Sequence, residues 1–217
     1  MVIDEQPAAK PRTPFWRELP ILLGVAIVVA IVVRAFVLQT FFIPSESMEN
    51  TLNINDRVLV NKLVYNFRDP HRGEIIVFKA PMQWRSDPNE EDFIKRVIGE
   101  PGDHIVCCDA QNRITVNGKA LDETPYLYSD AQGTDEPSDT KFDVVVPPGR
   151  LWVMGDHRSH SGDSHELWKR TNGDATASTI PIESVVGRAF VLFWPFTSAT
   201  WLTVPSTFDG IPAPAGG

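Results

Sequence analysis

Apolar residues are unevenly distributed along the 217-residue chain and divide it into a lipid-like N-terminal stretch and a globular remainder. From Leu19 to Leu38, every residue except Pro20, Gly24 and Arg34 is apolar. In a helix, these 20 positions would span about 30 Å, the thickness of the hydrocarbon core of a bilayer. This stretch is therefore predicted to be a transmembrane helix.

A cleaved signal peptide is the alternative for the same stretch. Its apolar region would be about 7 to 15 residues long and would end at a small-x-small site, which residues 34–42 do not contain. The anchor is therefore predicted to stay uncleaved. Lys10, Arg12 and Arg17 precede it, whereas no Lys or Arg occurs between residues 39 and 56. Because positive flanks stay inside, the N-terminus is predicted to be cytoplasmic and the rest of the chain extracytoplasmic.

After the anchor, short runs rich in Val, Ile and Phe alternate with Gly, Pro, Asn and Asp, a pattern typical of strands and turns. No stretch after residue 40 has a helical period over three turns, and the 18 prolines also favour strands and turns. The fold class is predicted to be mainly β, with antiparallel sheets and one N-terminal transmembrane helix. The predicted strands are Arg57–Val64, Glu74–Lys79, Phe93–Ile98, His104–Cys108, Arg113–Val116, Phe142–Val146, Leu151–Met154 and Val185–Trp194.

The same pattern predicts the domain organisation. A cytoplasmic segment (1–18) and the anchor (19–38) precede a main β domain formed by residues 39–103 and 147–204. Residues 104–146 would be a smaller inserted β region, with turns at 109–112 and at Asn117-Gly118 and an acidic solvated loop at 129–140. Residues 205–217, rich in Pro, Gly and Ala, are predicted to be a disordered tail.

Charge and cysteine content exclude several classes of protein. With 20 basic and 28 acidic residues the net charge is −8, which argues against nucleic acid as a partner. Cys107 and Cys108 are adjacent, so they cannot link distant parts of the chain or supply a four-ligand zinc site. The sequence leaves their redox state open.

Candidate chemistry first occurs directly after the anchor. Pro44 is followed by two closely spaced serines, Ser45 and Ser47, near the predicted membrane surface. Serine-rich turns follow many helices, so this stretch alone is a weak signal.

A second stretch, from Asp92 to Asp103, strengthens the signal because it places two cations in an apolar strand. Alternation puts Lys95 and Arg96 on opposite faces. A buried lysine can lose its proton near neutral pH and act as a general base, whereas arginine stays charged. The competing interpretation is that both cations reach solvent from a sheet edge.

A histidine-rich stretch allows a third interpretation. His157, His160 and His165, with Asp156 and Asp163, are residue types that bind zinc. Their spacing matches no metal motif, and the segment has the character of a strand end that passes into a polar loop. A surface loop is therefore favoured over a metal site.

In this order, these stretches resemble the type I signal peptidases, membrane-anchored serine endopeptidases that remove signal peptides from exported proteins. The resemblance covers most of the chain: the anchor and the motifs at residues 44–52, 72–78, 93–103 and 155–164. It implies cleavage after small-x-small motifs by a serine nucleophile and a neutral lysine base, through an acyl-enzyme, with no metal or other cofactor. It also implies secretory preproteins, the lipid bilayer and the export translocon as partners.

The resemblance also implies roles for individual residues. Ser47 would be the nucleophile and Lys95 the general base. Ser45 would add a donor to the oxyanion hole beside the Ser47 amide, and Ser161 would orient the lysine. A supporting polar network is implied at Asp156, Arg158 and Asp163. Shallow pockets for small substrate side chains are expected to be lined by Ile43, Met48, Leu52, Phe93 and Ile94.

Two departures from the family pattern bear on the site. Asn50 occupies a position where proline is frequent, which is expected to loosen the turn after the nucleophile. His165 occupies a position where arginine is usual, so a histidine or another residue must pair with Asp163.

Aromatic residues raise a further choice. Phe41, Phe42, Trp84 and residues 193–196 could contact the headgroup layer or pack in the core, and the sequence leaves both open.

Three other functions compete with a signal peptidase. A membrane-anchored binding module would use the same serines and lysine only structurally. A self-cleaving Ser/Lys regulator would be soluble and would bind DNA, which the anchor and the acidic charge oppose. A metalloenzyme would require the histidine-rich loop to hold an ion.

Overall fold

The structure is a computed structural model that describes residues 15–32 and 37–214. It consists of two compact units, Met1–Val37 and Leu38–Gly217. The predicted cytoplasmic segment lies largely outside the described residues.

The first unit contains helix α1 (Phe15–Val32), whose large apolar side chains between residues 19 and 31 are exposed. The helix predicted for residues 19–38 does not include Leu38. Residues 33–36 lie outside the described part, and Leu38 already pairs as a strand with Asn61. Among the described residues, no helix has both the length and the apolar character needed to cross a membrane.

The second unit is built of antiparallel strands, which confirms the prediction of a mainly β fold. The strands are β1 (Leu38–Phe42), β2 (Arg57–Asn61), β3 (Ile75–Lys79), β4 (Asp92–Gly99), β5 (His104–Cys107), β6 (Thr115–Val116), β7 (Lys119–Ala120), β8 (Ser129–Asp130), β9 (Gly133–Thr134), β10 (Phe142–Val145), β11 (Arg150–Met154), β12 (Ile180–Pro181), β13 (Val185–Trp194) and β14 (Thr200–Trp201). One short helix, α2 (Ser164–Arg170), follows β11.

The main sheet has the strand order β1-β2-β13-β3-β4-β11-β12, and β14 also pairs with β13. Strand β4 lies deep in this sheet, between β3 and β11. Its β11 partners begin at Arg96, so the β4 residues before it pair with β3 on one side and have no strand partner among the described residues on the other. Strand β1 forms the far edge of the same sheet. The outer side of β1 and the start of β4 therefore both have backbone groups without a strand partner among the described residues.

The segment between residues 104 and 146 contains a four-stranded sheet, β10-β5-β6-β7, and the hairpin β8-β9. Asn117 and Gly118 connect β6 to β7, and both have positive φ (50° and 79°). This is the conformation that a tight two-residue hairpin requires and that Asn and Gly tolerate. Cys107 and Cys108 form a disulfide at the end of β5.

Each of the eight predicted runs contains a strand, but several elements were missed. The missed strands include β1, which was assigned partly to the anchor, and the two-residue strands β7, β8, β9, β12 and β14. Two-residue strands are too short to show alternation. Helix α2 was also missed, because seven residues are only two turns.

The predicted disorder of residues 205–217 is wrong for the first part of that tail. Residues 206–208 form a turn of helix, and Phe208 is buried against Tyr126, with ring centroids 6.1 Å apart. Burial of this side chain contributes about 2 kcal/mol or more. The Asp122 amide also donates to the Thr207 hydroxyl at 2.7 Å, and the Asn117 side-chain amide donates to the Pro212 carbonyl at 2.8 Å. Residues 215–217 lie outside the described part.

Candidate active site

The nucleophile candidate, Ser47, lies in a tight turn directly after β1. The Glu49 amide donates to the Glu46 carbonyl at 2.9 Å, and the Leu52 amide donates to the Met48 carbonyl at 2.7 Å. These bonds make a compact turn around the serine. Ser47 is 5% exposed, so its hydroxyl reaches solvent only through the cavity in front of it.

The turn is held by Asn50, contrary to the expectation that this residue loosens it. Asn50 has a φ of 79°, which asparagine tolerates and which proline, fixed near −65°, cannot adopt. Its side-chain amide donates to the Leu127 carbonyl at 3.0 Å. With asparagine in place of proline, the backbone at position 50 can adopt a positive φ, and the side chain can bind the Leu127 carbonyl.

The base candidate, Lys95, lies on β4 and reaches the serine. Its Nζ is 2.5 Å from the Ser47 Oγ, although the two residues are 48 positions apart in the chain. Lys95 is 4% exposed and Arg96 is 2% exposed. Both cations are therefore buried, one on each face of the strand, which rules out the interpretation that they reach solvent from a sheet edge.

Burial shifts the protonation of this lysine. Removal of the ammonium from water lowers the pKa of Lys95 from 10.5 to about 8, and the carboxylates of Asp163, Glu90 and Asp156 only partly oppose this effect. An appreciable fraction of Lys95 is therefore neutral near physiological pH. A neutral amine in contact with a hydroxyl can accept its proton.

The two other serines occupy different positions. The Ser45 Oγ lies 3.5 Å from the Ser47 Oγ, and its side chain is exposed in front of the turn. The Ser161 Oγ is buried and makes no hydrogen bond to Lys95, and its hydroxyl instead helps to lower the pKa of Asp163. The structure thus brings Ser45 to the nucleophile but lacks the contact by which Ser161 would orient the lysine.

Asp156 anchors the turn to the sheet. It accepts two hydrogen bonds from the guanidinium of Arg96, at 2.9 and 2.6 Å, and a third from the hydroxyl of Thr51, at 2.5 Å. Arg96 is the neighbour of Lys95 on β4, and Thr51 lies four residues after Ser47. This buried ion pair therefore connects the strand of the base to the turn of the nucleophile.

Arg158 belongs to a second buried ion pair. Its guanidinium donates to the carboxylate of Glu123 at 2.5 and 3.2 Å, to the Gly155 carbonyl at 2.9 Å and to the Pro137 carbonyl at 2.6 Å. Through these bonds it joins the segment after β11 to the inserted region.

Asp163 pairs with His165, the residue that occupies the position where arginine is usual in the family. The His165 Nδ1 lies 2.6 Å from the Asp163 carboxylate, which also accepts from the Gly155 amide at 2.8 Å. Burial opposes both charges, but each partner outweighs it: the imidazole lowers the pKa of Asp163, and the carboxylate raises the pKa of His165. Asp163 therefore stays ionised beside the dyad.

The segment after β11 also contacts the backbone of the nucleophile. The His157 amide donates to the Ser47 carbonyl at 3.2 Å. Gly155 fits against the same carbonyl so closely that a Cβ built on it would lie 2.3 Å from that oxygen. Glycine is required here by this close approach.

A cavity of about 190 Å³ opens in front of Ser47 and Lys95. Ile43, Phe93 and Ile94, three of the residues expected at the substrate pockets, line it. Met48 and Leu52 do not, because the backbone of the turn directs both side chains into the core, where they are 0% exposed and pack with Val58 and Val60.

Trp84 lies at the wall of this cavity. It is 3% exposed and donates from Nε1 to the Ala177 carbonyl at 3.0 Å. It is therefore a core residue and not a headgroup contact. The aromatic residues Trp194 and Phe196, in contrast, are exposed.

The histidine-rich stretch does not form the metal cluster considered above. His165 faces Asp163, while His157 contacts His160 at 2.9 Å and stacks on Tyr128. Among the described residues, the one group with three ligand atoms within 4.8 Å of one another is Glu46, Glu49 and His157. Asp156 and Asp163 are both engaged elsewhere.

Several residues of the site were not predicted from the sequence. Arg96 was recognised as a possible buried cation, but its partner was not. Thr51 and Gly155 lay within the family motifs but were assigned no role, and Glu123 gave no signal. The contacts of these three residues span 105, 108 (155 − 47) and 35 positions of the chain.

Comparison with known proteins gives consistent matches. The family described as signal peptidase, peptidase S26, matches residues 16–194. A probable signal peptidase I-2 from Synechocystis sp. is 40% identical over 193 residues, covering 89% of this chain and 80% of the relative. The signal peptidase I of Mycobacterium tuberculosis is 37% identical, covering 88% and 76%. That of Leptolyngbya laminosa is 35% identical, covering 94% and 93%.

Among solved structures, a crystal structure of a signal peptidase I from Enterococcus faecalis is similar at 23% identity and a TM-score of 0.37. The match covers 56% of this chain and 97% of that one.

Proposed function

The chain belongs to the signal peptidase family, peptidase S26, and from this premise we propose that it cleaves signal peptides from exported preproteins with Ser47 as nucleophile and Lys95 as general base. The observation that carries the assignment of these two residues is the contact of 2.5 Å between the Lys95 Nζ and the Ser47 Oγ in a buried site. The enzyme is a serine endopeptidase.

The reaction is an acyl transfer in two halves. Neutral Lys95 accepts the proton of the Ser47 hydroxyl as its oxygen attacks the scissile carbonyl. The resulting ammonium donates that proton to the leaving amine, and the C–N bond breaks to leave an ester on Ser47. Lys95, neutral again, then takes a proton from water, which attacks the ester; the ammonium returns this proton to the Ser47 oxygen as the C–O bond breaks and the signal peptide is released. No step requires a metal or another cofactor.

The oxyanion formed during attack requires hydrogen-bond donors. The Ser47 amide and the Ser45 hydroxyl are the proposed donors, and Ser45 is supported by its position 3.5 Å from the nucleophilic oxygen. One such donor typically lowers the activation barrier by about 3 kcal/mol. Asp156, Arg158 and Asp163 act at a distance, because they fix the backbone around Ser47 and Lys95.

The substrate is proposed to bind as an extended strand. The edge of β1 that faces away from β2 and the start of β4 both have backbone groups without a strand partner among the described residues. Ile43, the residue that follows β1, and Ile94, on β4, line the cavity. A peptide in between would add a strand to the sheet by main-chain hydrogen bonds.

The proposed selection of small side chains follows from the size of the cavity. A volume of about 190 Å³ must hold both residues that point towards the protein, the first and third before the cut. An extended peptide places these two on the same face. Large side chains at these positions would collide with Ile43, Phe93 or Ile94, which supports cleavage after small-x-small motifs.

We also propose that the enzyme is anchored in the cytoplasmic membrane by the apolar run that begins at residue 19 and precedes β1, with the N-terminus in the cytoplasm, the β unit outside it and the bilayer and translocon as partners. The support is the apolar run itself and the positive residues before it. Sodium carbonate extraction of membranes tests the anchor: the full chain should remain in the pellet. Release into the supernatant would contradict it.

The dyad is tested by cleavage of a purified preprotein. Ser47→Ala and Lys95→Ala should each abolish product formation while the thermal unfolding transition stays cooperative. Lys141→Ala, a substitution of an exposed lysine, is the matched control and should cleave at the wild-type rate. Retained cleavage in either dyad variant would refute the assignment. Variants that bind the preprotein without cutting it, beside an active wild type, are the expected pattern.

A further inference from the structure

Trp84 lies at the wall of the cavity in front of Ser47 and Lys95 but has no part in the mechanism above. It comes from the segment that joins β3 to β4, where Met82–Trp84 form a single turn of 3-10 helix. Met82, at the start of this turn, is 70% exposed, whereas Trp84 is 3% exposed. A surface turn therefore directs one large aromatic side chain inward, to the edge of the substrate site.

Three contacts fix the position of Trp84. Its Nε1 donates to the Ala177 carbonyl at 3.0 Å, and its amide donates to the Pro81 carbonyl at 2.9 Å. Its ring meets the ring of Phe78 edge-on, with centroids 6.1 Å apart. Because displacement of the indole would break a buried hydrogen bond and an aromatic contact, Trp84 forms a rigid part of the wall.

The alternation of side chains along the substrate decides which residue meets this wall. Residues 41–45 and residues 92–95 both line the cavity, and the proposed substrate strand lies between these two segments. Successive side chains of an extended peptide point to opposite faces of the sheet that it joins. The first and third residues before the scissile bond therefore share one face, and the second residue points to the other.

Trp84 lies on the face of the sheet opposite to Ile43 and Ile94. Val77 and Phe78 are consecutive residues of β3, so their side chains point to opposite faces. Val77 packs in one cluster with Ile43 and Ile94, whereas Phe78 packs in another cluster with Trp84. The cavity is therefore bounded on both faces, by Ile43 and Ile94 on one and by Trp84 on the other.

We propose that Trp84 determines specificity at the second position before the scissile bond, where its indole limits the size of the side chain between the two small residues. This inference rests on the proposed function, because it requires a substrate strand whose first and third residues face Ile43 and Ile94. The middle position of the small-x-small motif is therefore not open to every side chain in this enzyme.

Peptide substrates that differ only at the second position test the inference. Ala, Val, Leu or Phe is placed there, with Ala at the first and third positions, and kcat/KM is measured with the full-length enzyme. We expect kcat/KM to fall as the side chain grows, by about tenfold or more between Ala and Phe. This is the lower end of the discrimination that the walls of a hydrophobic pocket provide.

The variant Trp84→Leu shortens the wall and should bring kcat/KM for the Phe substrate to within about threefold of that for the Ala substrate. The ratio of the two values within one variant does not depend on the fraction of folded enzyme, so it separates a wider cavity from a damaged fold. Trp84→Phe, which keeps a ring against Phe78, should give an intermediate ratio and decides the test if Trp84→Leu does not fold.

Two controls accompany these variants. Trp201→Leu changes a tryptophan that is 71% exposed and does not line the cavity, so the Ala to Phe ratio should keep its wild-type value. A second peptide set carries Phe at the first position and Ala at the second. Trp84→Leu should discriminate against this set as strongly as the wild type does, because Ile43 and Ile94 are unchanged.

Three results would overturn the inference. They are equal kcat/KM for the Ala and Phe substrates of the wild type, the same ratio in both Trp84 variants as in the wild type, and relief of discrimination at the first or third position in place of the second. Failure of the proposed function is a different result, since it would appear as cleavage of the Ala substrate by Ser47→Ala.

Discussion

Lys95 is buried at the expense of stability, and replacing it with methionine separates stability from activity. Methionine is similar in length, apolar and flexible, so it can fill the space of the lysine chain. We expect Lys95→Met to be inactive and, at pH 7, more stable than the wild-type enzyme.

The size of the effect follows from the pKa. Burial lowers the pKa of Lys95 from 10.5 to about 8, a difference of about 2.5 (10.5 − 8). Each pKa unit corresponds to about 1.4 kcal/mol, so holding the protonated lysine inside the folded protein costs about 3 kcal/mol. The variant also loses the hydrogen bond to Ser47, which contributes about 1 kcal/mol. The net gain expected at pH 7 is therefore about 2 kcal/mol.

The pH dependence has a defined sign. Between pH 8 and pH 10.5 the unfolded chain keeps a proton on Lys95 that the folded protein has released. The free energy of unfolding of the wild type therefore rises with pH over this range. The variant lacks this contribution, so its advantage is complete below about pH 8 and decreases as the pH approaches 10.5.

Urea unfolding followed by tryptophan fluorescence, with the full chain in one mild detergent, measures this difference at pH 7 and at about pH 9.5. Lys141→Met, at an exposed lysine, should differ from the wild type by no more than about 0.5 kcal/mol at either pH. A Lys95→Met protein that is less stable than the wild type at pH 7, or that has the same advantage at both pH values, would refute the reasoning.

Three further predictions concern the site. The kcat/KM of the wild type should increase about tenfold per pH unit and level off above about pH 8, because only neutral Lys95 accepts a proton; a midpoint near 6 in the pH profile would instead implicate a histidine. Gly155→Ala should lower the cleavage rate about 100-fold at unchanged secondary structure by circular dichroism, because its Cβ would displace the Ser47 carbonyl. Glu123→Gln should lower the free energy of unfolding by about 3 to 5 kcal/mol in urea, since it leaves the buried charge of Arg158 without its partner; an unchanged midpoint would contradict this.

Hydrophobic alternation and turn residues predicted the strands and turns that depend only on neighbouring residues. The strand that contains Lys95 was found because apolar residues surround two cations, and the turn at Asn117-Gly118 because both residues tolerate positive φ. Leu38 was assigned to the anchor because a single apolar residue at the end of a long run carries no sign of its pairing with Asn61.

Direction of side chains within the turn could not be predicted. Met48 and Leu52 are apolar residues near the nucleophile and so were expected to line substrate pockets. The backbone hydrogen bond between them turns both inward. Ile43, only four residues before Ser47, does line the cavity. The difference depends on the conformation of the turn, which its composition does not specify.

The bracing network was the least predictable part. Asp156 and Asp163 were identified through the family resemblance, but their partners Arg96, Thr51 and Gly155 follow from packing between distant segments. Such contacts leave no periodicity in the sequence. The pairing of His165 with Asp163 was left open for the same reason.

The order in which the chain is synthesised gives the Asp156 ion pair a further consequence. Ser47 and Lys95 are both complete 61 residues (156 − 95) before Asp156 is added. At 5 to 20 residues per second, this interval lasts roughly 3 to 12 s. During it the nascent chain has a nucleophile and a base but lacks the carboxylate that joins Arg96 to Thr51, the amide that binds the Ser47 carbonyl, and β11 beside β4. The protease therefore cannot become competent before residue 156, nearly three quarters of the way along the chain, has been added, and it cannot cleave neighbouring chains or itself during this interval.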